Sequence, residues 1–139
     1  MKILSKNKKK KGFTLIELVA VVAIIGILAA LLVPKIAGYI EDAKKTKVVD
    51  QARQVHMAVQ TANTKNDTQI ALGDSVDTVL GGGGTYDDVL KYMGLTAATD
   101  AATSFPNLDG SMSIQDCKDI VEGADFNITD GVYSGKVTS

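Results

Sequence analysis

Few side chains in this 139-residue sequence can do chemistry, and their spacing says which chemistry is excluded. His56 is the sole histidine and Cys117 the sole cysteine. A catalytic nucleophile needs a base within reach, and no pattern here supplies one. His56 sits at helical spacing amid Val55, Met57 and Val59, which predicts a helix-surface histidine without a catalytic role. Cys117 has no intrachain disulfide partner and reads as a small buried apolar residue. The acidic clusters Asp87-Asp88 and Asp116 with Asp119 carry the oxygen ligands that suit calcium, yet their spacing matches no EF-hand loop. The run Gly81 to Gly84 has no following lysine-serine pair and no clear preceding strand, so it is not a phosphate loop. No enzyme activity, metal or cofactor is expected. One group is out of place: Glu17, a carboxylate set inside an apolar run a few residues after the bond between Gly12 and Phe13.

The element that positions Glu17 is the stretch from Lys8 to Pro34, KKKKGFTLIELVAVVAIIGILAALLVP. After Phe13 only Thr14 and Glu17 interrupt an apolar run that reaches Val33. As helix this run measures roughly 31 Å, close to a bilayer core. The preceding lysines mark the cytoplasmic side. A lone carboxylate at a bilayer centre costs about 2.5–3.5 kcal/mol, and less near a helix end. Leu31, Leu32, Val33 and Pro34 offer no small-x-small secretory cleavage site, and Ala29-Ala30 is a weak one.

The basic leader, Gly12, Phe13 and Glu17 at the fifth position after the glycine resemble the class III signal of the type IV pilins and type II secretion pseudopilins. Gly26 and Pro34 stand where such proteins often carry a helix-breaking glycine and proline. The resemblance covers about residues 6 to 60 and is most specific over 11 to 34. It implies cleavage between Gly12 and Phe13 by a membrane aspartyl prepilin peptidase, followed by N-methylation of Phe13. It also implies a filament-forming helix in which Glu17 neutralises the new amino terminus, with local flexibility at Gly26 and Pro34. The implied partners are other copies of the chain in a homopolymer or mixed filament, the prepilin peptidase, the inner-membrane assembly platform and its ATPase, and the membrane before assembly. The external ligand is not identified. The expected course is a single-pass cytoplasmic membrane protein that becomes a cell-surface filament, for adhesion, motility or DNA uptake. A pseudopilin of a secretion or competence machine is the near alternative. A single-span membrane-anchored binding domain is the alternative of another class. Many Gram-negative pilins close a carboxy-terminal loop with a cysteine pair, which this chain lacks. A head held by packing alone, with a lysine-rich leader, is more usual in Gram-positive relatives of the family.

Charge follows the same division. The net charge of −1 conceals a leader whose six lysines leave nine basic against sixteen acidic residues in the rest. From Lys35 to Arg53 basic residues outnumber acidic ones, and from Gln54 onward acidic ones dominate.

The expected fold class is α+β: a long N-terminal helix, its hydrophobic half protruding and its amphipathic half packed on a C-terminal antiparallel sheet. The expected parts are a leader at 1–12, a transmembrane and filament-core helix at 13–34, and a head at 35–139. Within the head we expect an amphipathic helix over 35–66, a loop region over 67–107 and an antiparallel sheet over 108–139. Val48, Ala52, Val55, Val59 and Ala62 are spaced four, three, four, three, which places them on one helix face. Ile36, Ile40 and Ala43 extend a similar stripe. The helix is expected from about Thr14 to Lys65, kinked or locally melted near Pro34. A short helix is expected near Asp74 to Leu80. Another starts at Thr85, with Asp88 as its capping-box acid, and ends at Gly94. Met112 with Ile114, and Phe126 with Ile128, alternate as strands do, and Asp130-Gly131 is a two-residue hairpin signal. These patterns give three or four strands between Leu108 and Thr138, with Cys117 to Val121 open between strand and helical turn. Asn66-Asp67-Thr68 and Asn127-Ile128-Thr129 match the glycosylation triplet, a pattern common by chance.

Overall fold

A computed structural model describes residues 12–65, 69–96 and 101–137. The leader through Lys11 and the triplet beginning at Asn66 lie outside the described residues.

Helix α1 runs Leu15–Lys65 without interruption, passing through both Gly26 and Pro34. Two compact units meet within it, 1–39 and 40–139. In the first unit, every described residue is exposed, including Val19, Val22, Ile25, Leu28 and Leu32. This part of α1 is long and apolar enough to cross a membrane.

The second unit is the head. Its core forms around the predicted stripe: Val48, Ala52, Val55, Val59 and Ala62 are all buried. Ile36, Ile40 and Ala43, expected to continue that stripe, are exposed, so burial of α1 begins only at Val48. The exit of the helix is fixed by a side chain. Asn63 Nδ2 donates to the carbonyl of Ile70 at 3.1 Å, and the Ile70 N–H donates to Asn63 Oδ1 at 2.8 Å. The returning chain is thereby held against the helix it has just left.

Four short helices follow: α2 (Val76–Leu80), α3 (Asp87–Tyr92), α4 (Ala101–Ser104) and α5 (Ile114–Val121). A 3-10 turn over Gly84–Tyr86 leads into α3. The expected cap at Thr85 is displaced: Tyr86 is the N-cap, and Asp87 Oδ1 instead accepts the Gly83 N–H at 2.8 Å. Gly94 does end α3, at φ 74°, with the Leu95 N–H reaching the carbonyl of Leu90 at 2.8 Å.

Helices α2 and α5 begin back to back. Ser75 and Ser113, their N-caps, form an isolated antiparallel bridge. The N–H groups of Val76 and Asp77 donate to the carbonyls of Met112 and Gly110, while those of Ile114 and Gln115 donate to Asp74 and Leu72. The third N–H of each helix goes to its serine hydroxyl. Helix starts leave unpaired donors, and here two starts satisfy each other. A Cβ at Gly110 would meet the Asp77 carboxylate, so a larger residue at this joint makes that side chain turn away.

The sheet is smaller than expected. Among the described residues it has two antiparallel strands, β1 (Phe126–Thr129) and β2 (Val132–Lys136), not three or four. The alternation at Met112 and Ile114 belongs to a helix entry instead. Ser113 and Asp116 form a full capping box, and Ile114, Cys117 and Ile120 then turn inward at helical spacing. Cys117 to Val121 is therefore helix. Asp130-Gly131 does close a two-residue hairpin, with φ values of 54° and 87°. A bulge between Asn127 and Ile128 disturbs the register, and Gly135 sits opposite Asn127 at φ 129°.

Asn107 ties α1 to the hairpin. Its N–H donates to Gln51 Oε1 at 2.9 Å, and Gln51 Nε2 donates to its Oδ1 at 3.1 Å. Its Nδ2 donates to the Gly131 carbonyl at 2.8 Å, and its own carbonyl accepts the Tyr133 N–H at 3.0 Å. Asn107→Ala strips partners from the half-buried Gln51 amide and from the Gly131 carbonyl. It should lower stability by about 1–3 kcal/mol in urea unfolding of the full chain in detergent. Asn127→Ala, on an exposed position of β1, should change it by less than about 0.5 kcal/mol.

Candidate functional site

The residues singled out in the sequence gather at the start of α1. Gly12 and Phe13 lie outside the helix, and Phe13 is 91% exposed. The peptide bond between them therefore lies outside the helical hydrogen bonds. Thr14 ends that segment, and its carbonyl accepts the Leu18 N–H at 3.2 Å, the first bond of the helix.

Glu17 has a local partner that the spacing argument overlooked. The Thr14 N–H and hydroxyl both donate to Glu17 Oε2, at 3.0 and 2.9 Å, and the Glu17 N–H donates to Thr14 Oγ1 at 3.3 Å. This is a capping box, and its signature, threonine followed three residues later by glutamate before an apolar run, stood in the sequence. Without it the carboxylate would be an isolated charge in an apolar segment. With it the carboxylate accepts the Thr14 N–H, a donor that the helix start leaves unpaired, and the Thr14 hydroxyl, at the positive end of the helix dipole.

Gly26 and Pro34 lie further along the same helix. A Cβ at Gly26 would meet nothing within 4 Å, so no packing within the chain requires glycine there. Pro34 lacks the N–H that would otherwise reach the carbonyl of Ala30.

The other titratable groups serve the head. Lys136 on β2 lies 2.7 Å from Asp116 Oδ1 and also pairs with Asp119, so the acidic pair weighed for calcium holds an ammonium group instead. Among the described residues no group of three or more His, Cys, Asp or Glu side chains is placed to hold a metal. Burial raises the Asp116 carboxyl, but hydrogen bonds from Lys136 and Ser113 bring it below its ordinary value. Bonds from Lys136 and then Gln115 lower Asp119. Burial pushes the Cys117 thiol up to about 12. His56 corrects its expectation: it is not a surface residue but 8% exposed, with Nδ1 buried and without a hydrogen-bond partner.

Residues 7–33 match the family described as the prokaryotic N-terminal methylation motif. The chain is 39% identical over 87 residues to a fimbrial protein of Pseudomonas aeruginosa, covering 55% of this chain and 56% of that one. It is 38% identical over 105 residues to fimbrial protein Q of Moraxella bovis, covering 76% and 59%. With the type IV major fimbrial protein FimA of Dichelobacter nodosus it shares 38% identity over 78 residues, covering 55% and 49%. The chain thus spans about half the length of such relatives. No solved structure matches it. The Gram-positive origin expected from the lone cysteine and the leader gains no support from these relatives.

A long N-terminal helix with an apolar first half, and a second half packed in a head with a small antiparallel sheet, define the type IV pilin fold. The chain matches the type IV pilin and fimbrial family through its methylation motif and its fimbrial relatives.

The Lys136 ion pairs give a pH dependence with a definite sign. Both carboxyls lie below the ordinary 3.8 in the folded head. Their contribution is complete above that value and is lost as pH falls through the folded values. Lys136→Met should lower the urea midpoint at pH 7 and flatten the fall in stability below about pH 4. A buried thiol this basic should also resist alkylation at pH 8 in the folded chain and react once urea unfolds it.

Proposed function

We propose that this chain is a structural subunit of a type IV pilus, polymerising through α1 into a surface filament for adhesion, motility or DNA uptake. The observation that carries the proposal is the exposed apolar first half of α1, headed by Gly12, Phe13 and the capped Glu17. Such a surface needs a bilayer before assembly and neighbouring copies afterwards. The fimbrial relatives support a structural rather than a catalytic role.

In this reading a prepilin peptidase cleaves after Gly12, whose missing side chain suits a narrow site, and the amino group of Phe13 is methylated with its charge retained. The assembly platform and ATPase then draw the subunit out of the membrane. A cation at the end of an apolar helix would cost several kcal/mol if buried alone. Glu17 provides the counter-charge, either to its own amino terminus or to that of a neighbour, where the pair would also set the axial stagger. Gly26 and Pro34 let α1 stretch or melt locally in the filament. Supporting this are the absence of any packing partner for a Cβ at Gly26 and the Ala30 carbonyl left without a proline donor.

The test is the intact mass of the protein in sheared surface material of its native host. Residues 13–139 plus one methyl group are expected. Processed protein confined to the membrane would shift the reading to a pseudopilin, and full-length protein beside an active peptidase would overturn it. Glu17→Ala should leave cleavage intact and abolish filaments visible by electron microscopy. Normal filaments from that variant would remove the counter-charge role.

A further inference from the structure

We propose that His56 is a proton-sensitive joint that holds helix α5 against α1. The residue lies on the shoulder of the buried stripe of α1, four residues after Ala52 and three before Val59. The residue is only 8% exposed, and Nδ1 is buried without a hydrogen-bond partner. A neutral imidazole tolerates this with Nδ1 as the unprotonated nitrogen. A protonated imidazole does not, because both nitrogens then carry N–H groups and the ring a charge.

The charges acting on the ring come from the helix opposite. Lys118 on α5 disfavours the imidazolium and Glu122 favours it. These two pair with each other at 3.9 Å and are exposed, so their fields are weakened by solvent. On α1 itself the charge one turn earlier is Arg53, exposed and 3.8 Å from Asp50. Burial is the main influence, and it lowers the affinity of His56 for a proton below the ordinary 6.5. The open state binds the proton more tightly than the closed one. Closure is therefore complete above pH 6.5 and weakens as pH falls through 6.5 toward the folded value. The Lys136 carboxylates act only near and below 3.8, so the two windows are separate.

The consequence extends past α5. Its inward face, Ile114, Cys117 and Ile120, belongs to the core around α1. Its outward carboxylates grip Lys136 of β2. A proton on His56 loosens the first contact, and β2 follows α5 through the second. A mildly acidic medium would thus soften the carboxy-terminal part of the head while leaving the apolar half of α1 untouched.

The chain carries its own probe pair, a sole histidine on α1 and a sole cysteine on α5. The experiment uses the full, tag-free chain in detergent. The His56 imidazole is titrated by NMR, and Cys117 is reacted with dithiodipyridine from pH 7.5 to 5.0, normalised to urea-unfolded chain at each pH. The expected result is a titration below 6.5 and a several-fold rise in relative Cys117 reactivity on acidification. In His56→Gln that rise should vanish. His56→Leu replaces it if the glutamine variant exposes Cys117 at every pH. Titration at or above 6.5, or an equal acid response in the variant that folds, would overturn the proposal. Neither readout depends on filament assembly, so the outcome is independent of the pilus reading.

Discussion

The head depends on a narrow stripe of small side chains. Val48, Ala52, Val55, Ala58, Val59 and Ala62 carry α1 into the apolar core, and they are valines and alanines throughout. Small residues let other elements approach the helix backbone closely, but each contributes little apolar area. A fully buried valine is worth about 1.5–3 kcal/mol at best. The larger side chains come from the other side: Leu80, Ile114, Phe105, Leu108, Phe126 and Tyr133 all converge on this stripe. The helix supplies a rail, and the short elements supply the bulk.

Short elements cannot hold such an arrangement by propensity, since isolated helices this brief are unstable in water. Polar joints fix them instead. The bridge between Ser75 and Ser113 lets α2 and α5 share their N-terminal hydrogen bonds. Asn107 fixes the hairpin to Gln51, and Lys136 fixes β2 to Asp116 and Asp119 of α5. With a single cysteine in the chain, this fastening of β2 to α5 is by ion pairs and not by a disulfide. The two fastenings differ in kind: a disulfide responds to reductant, whereas these pairs respond to salt and acid.

These joints explain which parts of the fold could be read in the sequence. Local signals were legible. The spacing from Val48 to Ala62 marked the core face of α1, Asp130-Gly131 marked the hairpin, and Gly94 marked a helix end. Gly12, Phe13 and Glu17 marked the family. The capping boxes at Thr14–Glu17 and Ser113–Asp116 were equally local. The second was obscured because Met112 and Ile114 happen to flank the cap and imitate a strand. What spacing cannot carry is a contact between distant residues. Nothing near Asn107 indicates Gln51, and nothing near His56 indicates Lys118 and Glu122, whose charges act on its ring. The exposure of Ile36 and Ile40 was hidden for a related reason: their period is helical, but whether an apolar face is covered depends on where the head begins.

In the function proposed above the same helix answers to two environments, and Glu17 stands at the boundary where its chemistry changes. Before any cleavage the nitrogen of Phe13 is an amide, and among the described residues the Glu17 carboxylate bonds Thr14. Cleavage after Gly12, as proposed, would turn the nitrogen of Phe13 into a cation one residue from that threonine. The capping box keeps the carboxylate at the helix start rather than turned along the apolar surface, so little reorganisation would be needed to meet the new charge. A side chain held in advance loses less conformational freedom on pairing than a free one. Glu17 can stay on Thr14 while a cation joins it, because a carboxylate accepts several hydrogen bonds at once. Helix capping and charge neutralisation are then successive uses of one group, and the second builds on the geometry of the first.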